Sequence, residues 1–303
     1  LRNAYNDFLV SLAQDRTLRE EFLRDPDAVL VRANLSEAEQ AVLKSRRPEL
    51  IRSVTYQKGR GTLTVVGTGI QLVTHATWEA RRCIEEADRV LYAVAERATA
   101  RWIEMLNPRS ESLDLVYKPG LPRMATYLET VDRILAYVRE GYRVCVVYYG
   151  HPGVFVFASH ESIRRARNEG YSAEMLPAVS AEDCLFADLE VDPEIHGYQA
   201  YEATDFLINS RSFDPTCSVV LWQIGVIGEL GYKQAPNVTG LRVLVEYLRG
   251  FYPASHEVIV YEAAQYPITD PSIQRVPLEK LEETRISAFS TLYVPPFGEP
   301  QAR

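Results

Sequence analysis

The stretch "RVCVVYYGHPGVFVFASH", residues 143–160, decides how the rest of the chain is read. Val144 to Val147 form an apolar run with no polar residue alternating, the pattern of a strand buried on both faces. The run ends on Tyr148 and Tyr149, breaks at Gly150-His151-Pro152-Gly153, and is followed at once by another apolar run. A buried strand usually hands over to a polar turn. Glycine reaches backbone conformations closed to other residues and, lacking a Cβ, lets a ligand approach the main chain. The reading is that something is held at the carboxyl end of this strand.

Working outward, strands and helices alternate. "LTVVGTG" (63–69) is an apolar strand ending in glycines, "THATWEARRCIEEADRV" (74–90) a helix and "LYAVA" (91–95) a strand. "ATARWIEML" (98–106) is helical, "LDLVY" (113–117) extended, and "MATYLETVDRILAYVREG" (124–141) a long helix with a glycine stop. After the opening stretch come the helix "SHESIRRARNEG" (159–170) and the strand "AEMLPAVS" (173–180). This alternation predicts a parallel sheet with helices on both faces, whose ligands bind outside the carboxyl ends of strands. From about residue 180 there are fewer helices per strand. "YQAYEATDFL" (198–207), "CSVVLWQIG" (217–225) and "HEVIVYEAA" (256–264) read as strands, with the helix "GLRVLVEYLRGFY" (240–252) among them. "SIQRVPLEKL" (272–281) and "STLYVPP" (290–296) are short pieces, and the whole predicts a mixed sheet with antiparallel pairs.

Residues 1–56 read as a small all-helical module. "AYNDFLVSLAQD" (4–15) and "LREEFLRDPDAVLVRAN" (18–34) carry helical spacing, and Ser36 with Glu39 forms a capping box opening a third helix. A core this small is marginal alone. "YQKGRG" (56–61) is a linker. The expected organisation is an α/β protein in three parts, 1–56, 61–178 and 179–303, with a cleft between the last two.

The formal net charge of −8 excludes a general nucleic-acid binder, which would show a basic face. The four cysteines are scattered, with no CxxC and no histidine at metal-ligand spacing, so neither a metal site nor a disulfide framework is expected. No apolar run approaches the roughly 20 residues that span a bilayer. The expectation is a soluble cytoplasmic protein without bound metal.

"VVGTG" is not a dinucleotide fingerprint. The third position after Gly69 is Leu72, and no acidic residue ends a second strand nearby. A Walker pattern is absent. The loop after 150 has a counterpart in "LPAVSAEDCLFADL" (176–189), where strand meets helix at Ser180-Ala181-Glu182-Asp183. Neither loop holds a lysine or arginine, so a cup made by the two suits a nucleoside-like ligand better than a triphosphate. The bland alternative for GHPG is a tight turn. For Glu182 and Asp183, capping a helix N-terminus explains the acids better than a catalytic pair.

Taken together and in order, "LTVVGTG", "VVYYGHPGVF", "MLPAVSAEDCLFADL", "YEATDFL", "VVLWQIG" and "VIVYEAAQYP" resemble the tetrapyrrole methylase superfamily. That resemblance covers about residues 61–270. It implies a two-domain α/β fold, the class III S-adenosylmethionine methyltransferase architecture, with the cofactor in the cleft. Within the superfamily the chain is most similar to the borosin peptide backbone α-N-methyltransferases, because His151 stands where corrin and porphyrin enzymes carry aspartate. The N-terminal segment resembles the helical borosin-binding, leader-like domain; its position ahead of the enzyme departs from the fungal arrangement. The resemblance implies S-adenosyl-L-methionine as cofactor, S-adenosyl-L-homocysteine as product, a peptide substrate in cis or in trans, and a homodimer. It places cofactor contacts at Tyr149, Gly150, Gly153, Val154 and Phe155, at Ser180 and Ala181, and at Gln223 and Ala263. His151 either contacts the ligand or shapes the loop.

An amide nitrogen is a poor nucleophile because its lone pair is delocalised into the carbonyl. A base near neutral pKa and a donor aimed at the carbonyl oxygen are the tools expected. Arg123 and Tyr127, four apart at a helix start, share one face, and Tyr117 precedes them across a Pro/Gly loop. A guanidinium beside a phenol favours phenolate. The Tyr117, Arg123, Tyr127 spacing, with Tyr149 further on, resembles the borosin catalytic group. Tyr127 and Tyr117 then divide base and carbonyl-donor duties in either order, Arg123 tunes them, and Tyr149 positions substrate or cofactor. Two other readings compete: a tetrapyrrole or other small-molecule methyltransferase, and an inactive methylase-like peptide-binding protein.

Overall fold

A computed structural model describes residues 4–48, 50–51, 61–94, 96–114, 123–229 and 237–298. The chain divides into two compact units, Leu1–Gly59 and Arg60–Arg303.

In the first unit the described helices are α1 (Ala4–Gln14), α2 (Arg16–Arg24), α3 (Pro26–Leu30) and α4 (Glu37–Ser45). Each boundary has a local cause. Asp15 accepts hydrogen bonds from Thr17 and Leu18 N–H, and Ser36 with Glu39 makes the reciprocal capping box expected at α4. Residues 18–34, read as one pattern, are two helices. Asp25 caps the second and Pro26 opens it, lacking the N–H that a continuous helix would need. Tyr5, Phe22, Val29, Leu30 and Leu43 form the core of this unit.

The second unit contains two five-stranded sheets. The first comprises β1 (Thr62–Gly67), β2 (Arg89–Ala93), β3 (Ser110–Ser112), β4 (Arg143–Tyr148) and β5 (Ser172–Met175), in the spatial order β3-β2-β4-β1-β5. Every pairing is parallel. Alternation along the strands feeds two cores. Leu63, Val65, Leu91, Val144 and Val146 pack with Ile134, Leu135 and Ile163, whereas Val66, Val90, Cys145 and Val147 pack with Ala80, Ile84 and Ile103. The helices covering these faces are α5 (Trp78–Glu86), α6 (Arg97–Leu106), α7 (Arg123–Arg139) and α8 (Phe157–Asn168). Double coverage explains the flatly apolar strands.

The second sheet orders β6 (Tyr198–Glu202), β7 (Ser218–Trp222), β10 (Thr291–Val294), β8 (Glu257–Glu262) and β9 (Ser272–Pro277). It is mixed, with β6 and β7 parallel and the remaining pairs antiparallel. One face packs on α11 (Ala203–Ile208) and α12 (Val238–Leu248) through Phe206, Leu241 and Leu244. The other carries α9 (Ala181–Leu189) through Leu185 and Leu189; a single helical turn, α10 (Pro193–His196), precedes β6.

Two local expectations need correction, and a third falls mostly outside the described residues. The helix read over 74–90 is confined to 78–86, since Thr77 caps it by accepting Ala80 N–H at 3.1 Å and β2 takes over at Arg89. Most of the extended piece expected at 113–117 lies outside the described residues; just upstream, Ser110–Ser112 form a short strand. This edge strand is polar, and its position is set by pairing Val90 with Ser110 rather than by its own hydrophobicity. The strand read over 198–207 stops at Glu202, whose carboxylate accepts Asp205 N–H at 2.7 Å and starts α11.

The chain leaves β1 toward β2, on the far side of β4, and leaves β4 toward β5, on the far side of β1. The neighbours β1 and β4 therefore send their connections in opposite directions. Such a switch point is where open α/β sheets hold ligands.

Candidate active site

At this switch point the two glycine loops become one structure. Gly150 N–H donates to Gly69 O at 3.0 Å, Gly69 N–H returns a bond to Gly150 O at 3.3 Å, and Thr68 N–H donates to Tyr148 O at 2.9 Å. Gly150 holds φ +69°, and a Cβ there would meet only Ile70 Cδ1 at 3.4 Å. Gly67 is needed for close approach instead. A Cβ on it would lie 2.1 Å from Gly150 O, 2.7 Å from Ala178 Cβ and 2.8 Å from Pro152 Cδ. The loop after β5 is thus drawn to the same point.

His151 shapes its own loop. Its Nδ1 accepts Gly153 N–H at 3.0 Å, and Gly153 O faces His160 Nε2 at 2.9 Å. Val154 N–H donates to His151 O at 3.1 Å, and the Val154 side chain is partly exposed. Phe155 then takes φ +56°, a conformation bulky residues rarely adopt. Its ring lies 6.1 Å from that of Trp222 at the end of β7, so the first sheet's loop touches the second sheet.

Beside this loop is a cavity of about 220 Å³ whose lining includes Ala93, Tyr127, Tyr148, Tyr149, Phe155 and Phe157. The fold therefore brings together Tyr127 and Tyr149, which the sequence reading singled out 22 positions apart. Tyr127 sits near the start of α7, which Arg123 opens, and its ring stacks on Phe157 at 6.0 Å and 28°. Tyr117 lies outside the described residues. Tyr149 follows β4, anchored by its N–H donating to Ala93 O at 3.2 Å.

The other expected contacts line the second sheet's side. Ser180 N–H and Oγ–H both donate to Asp183 Oδ2 at 2.7 Å, and Asp183 N–H donates to Ser180 Oγ at 3.2 Å. This capping box at α9 uses the Ser180 hydroxyl and the Asp183 carboxylate locally. Ala181 and Ala263 both pack on the cluster containing Leu185, Trp222 and Tyr261. Gln223 follows Trp222 in a left-handed conformation, φ +60°. Farther along, Leu72 N–H donates to Gln265 O at 2.9 Å, joining the loop after β1 to the loop after β8.

The surroundings favour neutral groups. Burial pushes the Tyr149 phenol up to about 12, with Cys184 and Glu96 adding to it. Burial likewise raises the Cys184 thiol to about 11, reinforced by Asp188 and Asp183. Tyr261 is also raised, first by burial and then by donating to Asp188 Oδ2 at 2.6 Å. Glu182 is raised by burial and then by Asp183. The Tyr149 and Tyr261 phenols therefore ionise reluctantly and remain available as hydrogen-bond donors. Among the described residues no group of three or more His, Cys, Asp or Glu side chains is placed to hold a metal ion, and no helix is long and apolar enough to cross a membrane.

Trp222 and Phe157 were missed from sequence. Trp222 ends a strand, as Tyr149 nearly does, and that position was the available signal. Phe157 carries no such signal, since it opens a helix on an apolar run.

Two five-stranded sheets thus meet beside a strand-end glycine bridge. Residues 62–211 match the family described as Tetrapyrrole (Corrin/Porphyrin) Methylases. The fold agrees with uroporphyrin-III-C-methyltransferase from Thermus thermophilus: the TM-score is 0.56 at 20% identity, over 78% of this chain and 92% of that one. The chain is similar to this family over those residues and, over most of its own length, to curated relatives that include borosin precursors. It is 41% identical over 245 residues, 79% of its length, to a Gymnopus fusipes protein named as a methyltransferase/ribosomally synthesized cyclic peptide gymnopeptides precursor. It is 40% identical over 243 residues, 78% of its length, to a methyltransferase/ribosomally synthesized type I borosin cyclic peptide precursor of Coprinopsis marcescibilis. The chain spans 58% and 62% of the length of these two relatives.

Proposed function

We propose that the chain is an S-adenosylmethionine-dependent enzyme that methylates backbone amide nitrogens of a ribosomally made peptide. The observation that carries this reading is the aromatic cavity, where Tyr127 and Tyr149 face one space beside the Gly69–Gly150 bridge. The borosin-type relatives, named as methyltransferases and peptide precursors at once, support it.

The residues fit the cofactor. Gly150 leaves open the space a Cβ would take, the loop offers main-chain groups, and the surroundings are apolar. Gly150, Gly153, Val154 and Phe155 would hold it from one side, with Ser180, Ala181, Gln223 and Ala263 across, and His151 keeping the loop in shape. When bound, S-adenosylmethionine supplies a methyl group on a sulfonium, reactive enough to need little activation.

The chain's own work is on the amide. Tyr149, a phenol protonated at neutral pH whose ionisation burial pushes further into the alkaline range, serves as a hydrogen-bond donor that orients the substrate carbonyl or the cofactor. Tyr127 and Tyr117 divide the remaining duties. One accepts the N–H proton as the N–CH3 bond forms, and the other donates to the carbonyl oxygen. Arg123, always cationic, favours the phenolate.

The remaining parts follow from the same reading. Residues 1–56 act as a leader-like module that engages peptide, 61–178 carry the cofactor loop and catalytic side chains, and 179–303 complete the cleft. The peptide is presented in cis or in trans, and the enzyme works as a cytoplasmic homodimer.

The test uses purified protein with S-adenosylmethionine, alone and with the peptide encoded beside it. Tandem mass spectrometry should find methyl groups on backbone nitrogens. Tyr127→Phe and Arg123→Ala should bind S-adenosylhomocysteine nearly as tightly as wild type in calorimetry, yet lose about 10²-fold or more in turnover. Methylation of side chains only, or wild-type turnover in either variant, would overturn the reading.

A further inference from the structure

Phe157 is the first residue of α8 and directly follows the loop that would seat the cofactor. It is 39% exposed, so burial in a core does not account for an aromatic ring there. Its ring faces Tyr127 on α7 at 6.0 Å and 28°, an offset stack. Behind this ring pair the two helices are fixed to each other. Ile134, Leu135 and Val138 share a core with Ile163 and Ala166. Arg165 Nη1 donates to Asp132 Oδ1 at 3.1 Å, and Arg139 reaches Glu169 through two bonds of 2.8 and 2.6 Å. At the cleft end the Phe157 ring lies against the Tyr127 ring. Two residues before Phe157 the chain takes the unfavourable φ of Phe155, whose ring reaches Trp222. A change at the cofactor loop is therefore passed directly to the ring that abuts the phenol.

We propose that Phe157 is a positioning residue that couples the cofactor loop, residues 150–156, to the phenol of Tyr127 through ring stacking. This rests on the reading of Tyr127 given above. Stacking fixes the phenol where it meets the amide only when the loop is settled, so cofactor binding and catalytic geometry are linked. Misplacement of a reacting group by about 1 Å is enough to cost on the order of 10²-fold in rate.

The experiment places 3-fluorotyrosine at position 127 of the full chain. The fluorine resonance is followed with and without S-adenosylhomocysteine, in wild type, Phe157→Leu and Phe157→Trp. In wild type the resonance should move on adding the ligand. In Phe157→Leu it should shift through loss of the ring current, broaden, and stop responding, although calorimetry still finds the ligand bound. Phe157→Trp should restore the response. In methyl-transfer assays Phe157→Leu should lower kcat about tenfold or more with cofactor affinity within about threefold, and Phe157→Trp should recover most of it. A Phe157→Leu resonance identical to wild type, responding normally to ligand, overturns the coupling whatever the turnover. A wild-type protein that shows the coupled resonance but transfers no methyl group overturns the proposed function and leaves the coupling standing.

Discussion

The two sheets of the second unit have the same number of strands and opposite logic. In the first, every strand runs the same way, so all the strand ends are delivered to one edge. Gly67, Ala93 and Tyr148 end neighbouring strands there, and the loops leaving them interlock. In the second sheet β9 and β10 run against their neighbours, and only β6, β7 and β8 end on a common edge. That edge contributes Trp222, Gln223 and Ala263, a wall more than a centre. Parallel order concentrates chemistry because backbone ends, glycines and helix starts accumulate in one place. Antiparallel order spends its turns on closing hairpins and leaves a dense core.

This contrast can be broken by substitution. The largest loss of stability belongs to the second core. Leu244 is fully buried among Phe206, Val258 and Leu292, and Leu244→Ala should cost about 2–5 kcal/mol in denaturant unfolding while leaving S-adenosylhomocysteine affinity unchanged. Lost affinity there would mean the second sheet does more than form a wall. Next comes Gly67→Ala, whose Cβ would collide with Gly150 O and Pro152. It should cost about 1–3 kcal/mol and also abolish cofactor binding by prising the loops apart. Gly228→Ala, in the second half at φ +75° with nothing within 4 Å, carries only backbone strain. Its cost should be about 1 kcal/mol with normal binding, and equal binding in the two alanine variants would erase the distinction.

Ser180→Ala removes the α9 cap and should cost about 1 kcal/mol, read from the unfolding midpoint. The smallest effect is alkaline. The folded Tyr149 phenol titrates at about 12, above its ordinary value near 10. The native state therefore holds that proton more tightly than the unfolded chain. The resulting stability is complete below about pH 10 and drains away as pH rises toward about 12. Tyr149→Phe should flatten that decline in urea titrations between about pH 10 and 12. An unchanged slope would show that the phenol is solvated in the folded protein.

Much of the architecture was legible because each element carries its own periodicity. The apolar run of β4, the long amphipathic α7 and the Ser36–Glu39 capping box are local statements, and the structure honours them. The failures are also local in cause. The strand Ser110–Ser112 is an edge strand made by its neighbour, so no hydrophobic signal marks it. Proline at position 26 cut one helical pattern into two. At the candidate site the glycines and tyrosines stood out by type. Phe157 and Trp222 did not, because an aromatic residue in an apolar run looks like core until its neighbours are known.

By itself, the amino-acid sequence determined most of the strands and helices, the capped start of α4, and that two glycine loops end apolar strands. Burial period and capping act over a few residues and can be read there. Only the tertiary structure decided that Gly69 pairs with Gly150, that Phe155 meets Trp222, and that Phe157 stacks on Tyr127. Those contacts depend on the crossover order β3-β2-β4-β1-β5 and on how one sheet faces the other, which no local pattern records.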